Sequence, residues 1–507
     1  MTAAAGAPSA GDVVVVGRAL WTGEGAGPGA LLLRGGRIAG RLAGEVAPRD
    51  LAGPEAEVID AGDGLVVPGL HDTHTFFTAA LLEHGGLDAR ALDDRSVVEG
   101  VLGALAAAPE ELVFVRGLSG PSERGAGLAR ELASRAAGAA VALLGAERSW
   151  LVLTDAARMA VGDADAASNE SLAGLYRVLA AEPHVVRRAF LARARAFSAH
   201  GVTSVKDIAF DDHLGMLPVL EDLALRDDLP VRMAYSLQPV TAPADLAYAE
   251  WAAHRNSGVR FHGFKLMTDG AFDEGGAALL GEDADAVDWD AVRAEAWRIL
   301  DAGHRLALNA DGDGAVRRCL EIFEEYARER GSLPPGAALS DVSLVAEADI
   351  PRVAALDLVV ETYPHLVRQE GFTRELLTEL LGSRSSRLGP FASMIRHGVH
   401  LTAGTDHPLF EPDLPQSLLS ANERLLPHGE DGRWHPENGM SRVEVVRSWT
   451  SRAGAAMQTP AGAGTFDLGA PADIAVFDRN LLEAAPEELA TASVMLTVQG
   501  GRVAYRR

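Results

Sequence analysis

The chain of 507 residues contains a single cysteine, Cys319, and has few basic residues for its acidic content. One cysteine cannot form a disulfide within the chain, so a disulfide-stapled secreted domain is excluded. We expect Cys319, which lies in a helix-like run, to be a buried structural residue. With 46 basic against 71 acidic residues, the net charge of −25 repels phosphates. This charge disfavours nucleic acids and anionic membranes as partners.

Long apolar runs are missing as well. No stretch of about 20 apolar residues is present, and the N-terminal sequence MTAAAGAPSAGD has neither the basic start nor the apolar centre of a secretion signal. We therefore expect a cytoplasmic protein. Apolar residues make up 48% and charged residues 23% of the chain, as in folded globular proteins. The length allows one large catalytic domain and a smaller one.

Both ends of the chain carry β-strand patterns. Alternating apolar residues surround a Gly35-Gly36 turn near the N-terminus, and the same alternation surrounds Gly500-Gly501 near the C-terminus. The two patterns predict one small β-sandwich-like domain composed of residues 1–65 and 461–507.

The middle of the chain, residues 66–460, alternates short apolar runs with helix-length amphipathic segments. This pattern predicts a parallel α/β fold, of which the (β/α)₈ TIM-like barrel is one form. More chain lies at about residues 87–180 than one strand–helix unit needs, which indicates an inserted subdomain. The candidate strands are residues 112–117, 140–145, 201–207, 231–237, 263–270, 305–313, 356–364 and 399–408.

Polar residues follow many of these apolar runs. The clearest case is residues 66–77, VVPGLHDTHTFF, where His71, Asp72 and His74 follow a strand. Because the C-terminal ends of barrel strands meet at the active site, such residues are expected to share one pocket. The residues expected beside His74 are Asp207, Lys265, Asp269, Asn309, His365, Asp406 and His407.

Three of these residues have more than one interpretation. Lys265 is either a surface lysine in an ion pair, or a partly desolvated lysine that is carbamylated or acts as a base. Asp406 either caps the next helix, or holds a metal or transfers a proton. Asn309 neither titrates nor binds zinc well, so its expected role is to orient a substrate by hydrogen bonds.

Seven segments carry a resemblance to a known family. They are PGLHDTHTF (68–76), GVTSVKD (201–207), FKLMTDGAF (264–272), NADGDGAV (309–316), DIPRVAALDLVVETYPH (349–365), TAGTDHPL (402–409) and GTFDLGAPADIAVFD (464–478). In this order they resemble the amidohydrolase superfamily, in the branch called amidohydrolase-3 or YtcJ-like. The resemblance covers nearly the whole chain. It implies a (β/α)₈ barrel with one or two divalent ions that activate a water for attack on a C–N or C–O bond.

The resemblance also implies a ligand set. In the family, an HxH pair, a carbamylated lysine or its equivalent, two further histidines and a final aspartate hold the ions. His74, Lys265 and Asp406 match three of these positions. They are therefore the metal ligands that the resemblance implies for this chain.

The remaining positions depart from the family. Phe76 occupies the position of the second histidine of the HxH pair, and Asn309 occupies the position of the histidine that opens the H-A-x-G-D segment. No histidine lies near Asp341, where the last one is expected. Arg148 corresponds to a family histidine that often touches substrate.

These departures predict a degenerate metal site. A zinc site usually has three or four protein ligands, and the chain offers His74, Asp406, Lys265 as a carbamate, and Asp341. We therefore expect at most one divalent ion, with zinc as the first choice, and no metal as the alternative.

Three functions remain open. The first is a metal-dependent hydrolase that cleaves a C–N bond other than a peptide bond, in an amide, carbamate or cyclic amide. The second is a metal-independent isomerase, cyclase or lyase in which Asp406, His74 and Lys265 transfer protons. The third is a catalytically inactive homologue that binds a ligand. In the first and second of these functions, His74, Lys265 and Asp406 are the catalytic residues.

The expected partner is a small-molecule substrate, and a homodimer is the commonest state for an enzyme of this kind. The Phe76 ring would suit an apolar or aromatic substrate. The residues expected to contact the substrate are Phe76, Asn309, Arg148, His365 and His407.

Overall fold

The computed structural model describes residues 11–507 except 52, 54, 109–110, 147–148, 163–168, 211–215, 227, 240–242, 255–257, 282–286, 428–431 and 458–459. Arg148 lies outside the described residues, so its substrate contact stays a prediction. Within the described part, no helix is long and apolar enough to cross a membrane.

The secondary structure alternates strands and helices through most of the chain. The strands are β1 (Val13–Trp21), β2 (Ala26–Arg34), β3 (Arg37–Ala43), β4 (Glu57–Asp60), β5 (Leu65–Pro68), β6 (Leu70–Thr75), β7 (Leu87–Asp88), β8 (Val113–Leu118), β9 (Val141–Gly145), β10 (Leu151–Leu153), β11 (Val202–Phe210), β12 (Arg232–Gln238), β13 (Val259–Leu266), β14 (Leu306–Asn309), β15 (Ala338–Ser340), β16 (Val359–Thr362), β17 (His400–Ala403), β18 (Ile474–Phe477), β19 (Val494–Gln499) and β20 (Arg502–Arg506). The α-helices are α1 (Ala80–His84), α2 (Asp94–Ala107), α3 (Ser122–Arg135), α4 (Asp155–Val161), α5 (Asn169–Ala180), α6 (Pro183–Ala199), α7 (Leu217–Leu225), α8 (Leu246–Ala253), α9 (Trp289–Asp301), α10 (Asp313–Arg330), α11 (Ile350–Ala355), α12 (Arg374–Leu381), α13 (Phe391–Arg396), α14 (Leu414–Ser417), α15 (Arg442–Trp449), α16 (Ser451–Ala456) and α17 (Pro486–Leu489).

One eight-stranded sheet joins the two ends of the chain. Its order is β20-β19-β18-β5-β1-β2-β3, with β4 beside β1. The hairpin between β2 and β3 turns at Gly35 and Gly36, whose φ angles of 56° and 74° favour residues without a side chain. The predicted β-rich domain from both termini is therefore confirmed, as a single sheet.

A second eight-stranded sheet forms the barrel, in the order β17-β16-β15-β14-β13-β12-β11-β6. Its neighbouring strands pair in parallel, and a parallel bridge between Thr75 and His407 brings the first strand beside the last. The predicted (β/α)₈ barrel is confirmed, and the C-terminal ends of its strands carry the polar residues discussed below.

Two of the eight candidate strands lie outside the barrel sheet, within the segment predicted as an inserted subdomain. Residues 112–117 and 140–145 correspond to β8 and β9, which belong to a separate four-stranded sheet with the order β10-β9-β8-β7. The barrel instead contains β6 and the three-residue strand β15. An apolar run shows that a strand is buried but not which sheet it joins, and a run of three residues is too short to recognise.

The described chain divides into two compact units. One consists of Met1–Phe76, Arg195–Ala209 and Pro230–Arg507, and the other of Phe77–Ala194 and Phe210–Leu229. The first contains the terminal sheet and the barrel, and the second has its own apolar core around α2, α3 and the four-stranded sheet. The domain limits given above stay a prediction. Cys319 lies buried in α10, as expected.

Candidate active site

The first and last barrel strands meet at His74 and Asp406. The main-chain oxygen of His74, near the end of β6, accepts the N–H groups of Thr405 at 3.0 Å and Asp406 at 2.8 Å. Asp72 accepts the Thr405 hydroxyl at 2.5 Å and the Thr405 N–H at 3.2 Å. Asp406 adopts a left-handed backbone with a φ of 50°. These bonds fix the side chains so that His74 Nε2 lies 3.7 Å from Asp406 Oδ1.

Gly404 allows the two strands to approach this closely. A Cβ atom at Gly404 would lie 2.6 Å from the Cβ atom of His74, which is closer than two such atoms can pack. We therefore expect Gly404→Ala to separate β6 from β17 and to lower the free energy of unfolding by about 1–3 kcal/mol. Denaturant unfolding measures this loss.

A matched control for this change is available in α2. Gly103 lies in that helix, is exposed, and has nothing within 4 Å of an added Cβ atom. Gly103→Ala should raise the free energy of unfolding by about 0.5–1 kcal/mol, because alanine is the better helix former. An equal effect of the two changes would contradict the close approach at Gly404.

Three side chains present ligand atoms to one another at the strand ends. Asp341 follows β15 with a φ of 59° and places Oδ1 3.5 Å from His74 Nε2. Together with Asp406, these residues offer one nitrogen and two carboxylate oxygens, all within 4.8 Å of one another. Asp406 Oδ1 is buried and has no hydrogen-bond partner among the described residues. An unpaired buried carboxylate oxygen is costly, and a cation would satisfy it.

Lys265, from β13, lies beside these atoms. Its Nζ atom is 2.8 Å from Asp341 Oδ2 and 3.3 Å from His74 Nε2, and its side chain is only 2% exposed. The interpretation of Lys265 as a surface lysine is therefore wrong, although it does form an ion pair. The Phe76 ring stands 6.0 Å from the same Nζ atom.

The two carboxyl groups differ in their protonation. Burial alone would raise the pKa of Asp341, but the Lys265 charge and the neighbouring His74 ring, with the hydrogen bonds from Lys265 and Tyr363, hold it well below its usual range. Burial raises the pKa of Asp406 to about 6. Burial and the Asp341 charge also raise the pKa of the Tyr363 hydroxyl well above its usual value. Asp341 is therefore a stable anion, while Asp406 is the more easily protonated of the two.

Two residues that the sequence analysis missed complete the site. Glu361, on β16, places Oε2 3.3 Å from His74 Nδ1, and its other oxygen forms an ion pair with Lys206 of β11. Burial would raise the pKa of Glu361, but Lys206 and His74 lower it to about 2. A charged residue within an apolar strand run was the available signal for both.

Asn309 and Asp269 form a separate arrangement at the end of β14. The Asn309 amide donates to the main-chain oxygen and to Oδ1 of Asp269, at 3.0 and 3.1 Å. Asp269 also accepts main-chain N–H groups from Ala278, Asp311 and Gly312. The Asn309 side chain thus holds the loop that contains Asp269 by hydrogen bonds. Its contact with substrate stays a prediction.

The other predicted residues make contacts of their own. His365 stacks on Phe410 and places Nε2 2.9 Å from the Asp413 carbonyl oxygen, and burial lowers its pKa to about 4. His407 places Nδ1 3.2 Å from the Phe410 carbonyl oxygen. Asp207 is buried within β11. These contacts of His365 and His407 are with residues other than His74, and the roles of His365, His407 and Asp207 at the substrate stay predictions.

The His74, Asp341 and Asp406 side chains fit a single divalent ion. A histidine ligand commonly holds a carboxylate on its other ring nitrogen, as Glu361 does here on His74 Nδ1. Three protein ligands with positions left for water are typical of catalytic rather than structural zinc sites. The Lys265 ammonium lies near the same donor atoms, so ion binding requires it to move away or to become a carbamate ligand.

Similar folds occur among solved structures. An uncharacterized metal-dependent hydrolase from Pyrococcus horikoshii OT3 is 17% identical, with a TM-score of 0.72, and the match covers 95% of this chain and 99% of that one. A counterpart from Pyrococcus furiosus is 18% identical, with a TM-score of 0.71 and coverages of 93% and 100%. The atrazine chlorohydrolase TrzN of Arthrobacter aurescens TC1, solved with zinc, is 14% identical, with a TM-score of 0.51 and coverages of 97% and 94%.

Family membership is the stronger finding. A search of the curated proteins gives no significant match. The family model described as the amidohydrolase family matches residues 57–505, which include every strand of the barrel and strands β4, β5, β18 and β19 of the terminal sheet. The chain therefore belongs to the amidohydrolase family.

Proposed function

We propose that the protein uses one divalent ion, with zinc as the first choice, to hydrolyse a C–N bond of a small amide, carbamate or cyclic amide. The observation that carries this proposal is the group of His74 Nε2, Asp341 Oδ1 and Asp406 Oδ1 at the C-terminal ends of barrel strands. Membership of the amidohydrolase family supports it. When bound, the ion would lower the pKa of a water and polarise the scissile carbonyl group.

Each residue has a defined task in this proposal. His74 and Asp341 would bind the ion, and Glu361 lies against the opposite side of the His74 ring. Asp406 offers Oδ1 to the ion. Its side chain is 23% exposed, so the carboxylate can also reach the attacking water. It takes the proton of this water and passes it to the leaving nitrogen, as a general base and then a general acid.

Lys265 balances the charge of the site. As an ammonium it neutralises Asp341 in the absence of the ion. As a carbamate it would become a fourth, anionic ligand, which is the role that the family resemblance implies. The Phe76 ring, 6.0 Å from the Lys265 ammonium, offers a surface for an apolar substrate group.

Metal analysis tests the proposal. Protein purified without a histidine tag and without chelator should contain about one equivalent of a divalent transition metal, as a mononuclear site requires. Adding zinc or manganese to metal-depleted protein should restore turnover on a panel of amides, carbamates and cyclic amides. A much smaller metal content, with no gain on adding either ion, would refute the proposal.

A pair of histidine variants makes this test specific. His74→Gln should lose the bound ion, because it removes the single nitrogen donor of the group. His365→Gln should keep it, because His365 contacts Phe410 and Asp413 instead. Equal metal content in the two variants would place the ion elsewhere.

The contact between Lys265 and the same atoms favours a second candidate. Its ammonium touches Asp341 and His74 directly, so His74, Lys265 and Asp406 can exchange protons without an ion. This arrangement suits a metal-independent isomerase, cyclase or lyase. Turnover that survives chelation would favour this candidate, and ligand binding without turnover would favour an inactive homologue.

Two further proposals concern the protein as a whole. We propose a homodimer and a cytoplasmic location. Light scattering of the purified protein tests the first, and imaging of the tagged protein in its own cell tests the second.

A further inference from the structure

Lys206 and Glu361 form a buried ion pair inside the barrel. Lys206 lies on β11 and Glu361 on β16, and their side chains are 2% and 5% exposed. Barrel interiors are usually filled by branched apolar residues. Burial removes water from both charges, and such a pair is often no more stabilising than apolar residues of the same size. Stability alone therefore does not account for this pair.

The Glu361 carboxylate divides its two oxygens between different partners. Oε1 pairs with the Lys206 ammonium, and Oε2 lies 3.3 Å from His74 Nδ1. A carboxylate with this ion pair only accepts hydrogen bonds, so Nδ1 must carry the ring hydrogen. On the opposite side of the ring, the Lys265 ammonium only donates, and it lies 3.3 Å from Nε2. The Asp341 and Asp406 oxygens lie farther from Nε2, at 3.5 and 3.7 Å. The two closer contacts, both at 3.3 Å, favour the same tautomer, with Nε2 as the atom that carries the lone pair.

We propose that Lys206 and Glu361 are positioning residues that fix the tautomer and the ring orientation of His74. The pair holds Nε2 toward Asp341 and Asp406, ready to bind a cation. This inference rests on the proposed function only in that Nε2 is the atom that would bind the ion. Lys206 contributes separately. It binds one oxygen of the Glu361 side chain and so determines which atom at the end of that side chain faces His74 Nδ1.

The part played by Lys206 leads to an unusual expectation. In Glu361→Gln, the Lys206 ammonium can only donate, so it selects the amide oxygen. The amide N–H group then faces His74 Nδ1, which must become an acceptor. The ring hydrogen therefore moves to Nε2, where it blocks metal binding. In the double variant Lys206→Met/Glu361→Gln this selection is absent, and the amide oxygen is free to face Nδ1 again.

Zinc affinity, measured by competition with a chelating dye, tests the first half of this inference. Glu361→Gln should weaken zinc binding by about 10–100-fold, as loss of a ligand's supporting carboxylate usually does. The double variant should recover most of the affinity. Arg232→Met is the control, because it breaks a different pair in which Asp473 is buried. It should leave zinc affinity unchanged.

The tautomer itself can be read without any metal. Nitrogen NMR of ¹⁵N-histidine-labelled protein, with the His74 signal assigned from His74→Gln, distinguishes Nδ1–H from Nε2–H. We expect Nδ1–H in the wild type and the double variant, and Nε2–H in Glu361→Gln. If Glu361→Gln does not fold, Glu361→Asp replaces it, since its shorter side chain cannot reach both partners and should also weaken zinc binding.

The outcomes separate this inference from the proposed function. Wild-type zinc affinity in folded Glu361→Gln, or no recovery in the double variant, would overturn the positioning role. If the wild type binds no zinc, the proposed function fails and the NMR result alone decides. A shift of the hydrogen to Nε2 in Glu361→Gln then supports the positioning role, and an unchanged tautomer overturns it.

Discussion

Asp406→Asn is expected to reduce kcat by about 10²–10⁴-fold, the usual contribution of a positioned general base. Asparagine can adopt the left-handed backbone of this position, where φ is 50°, and it keeps the main-chain N–H bond to His74. The change therefore removes the charge and the proton acceptor with little effect on the backbone. Steady-state kinetics with metal content measured on the same samples separates loss of the base from loss of the ion.

Asp357→Asn provides the control for this substitution. Asp357 has a similar φ of 52°, is exposed, and lies in the turn before β16. It should leave kcat unchanged. If Asp406→Asn kept full activity with the ion bound, the proton would have to be transferred by another group.

Asp341→Asn is expected to destabilise the metal-free protein by about 3–5 kcal/mol, the usual cost of removing one partner of a buried ion pair. The Lys265 ammonium is 2% exposed and lies 2.8 Å from Asp341 Oδ2. Without the Asp341 carboxylate, the buried Lys265 ammonium would lose its direct ion-pair partner. Urea unfolding of chelator-treated protein measures the loss of free energy of unfolding.

The double variant Asp341→Asn/Lys265→Met tests the physical cause. It removes both charges, so it should recover much of the lost stability, since a buried pair can be replaced by uncharged residues at low cost. Asp357→Asn, on the exposed side of a turn with the same backbone conformation, should change stability by less than about 0.5 kcal/mol. A double variant no more stable than Asp341→Asn would show that the carboxylate matters for another reason, such as its bond from Tyr363.

The sequence predicted the barrel and the centre of its site for identifiable physical reasons. Apolar runs followed by polar residues predicted β6, β13 and β17, and parallel strands bring such ends together. His74, Lys265 and Asp406 do lie beside one another. Asp341 had been considered as a ligand only because a histidine was missing near it. Asp341 joins His74 and Asp406 because it follows β15, a strand of three residues. Such a strand is too short to be recognised from alternating apolar and polar residues.

Glu361 and Lys206 were missed because the prediction used the polar residues at the ends of strands, whereas both of these residues lie inside a strand. The run before His365 was expected to end there, but β16 ends at Thr362, and the residue that reaches His74 is Glu361. In β11 the residue predicted to face the site is Asp207, but the pairing of β11 with β6 is irregular between Val205 and Asp207. One extra residue on one strand reverses which side chains face the interior, and the alternation of a single strand does not reveal it.

The hydrogen bonds between Asp72 and Thr405 join residues that are 333 positions apart. The candidate active site therefore lies at the junction between the earliest and the latest barrel strands to leave the ribosome. A growing chain that has not yet produced β17 lacks Asp406 and the two N–H groups, of Thr405 and Asp406, that the main-chain oxygen of His74 accepts in the folded protein. Contacts of such separation are costly in loop entropy and slow to form. Binding of one ion by His74, Asp341 and Asp406 together would therefore indicate that all strands of the barrel have been synthesised and folded.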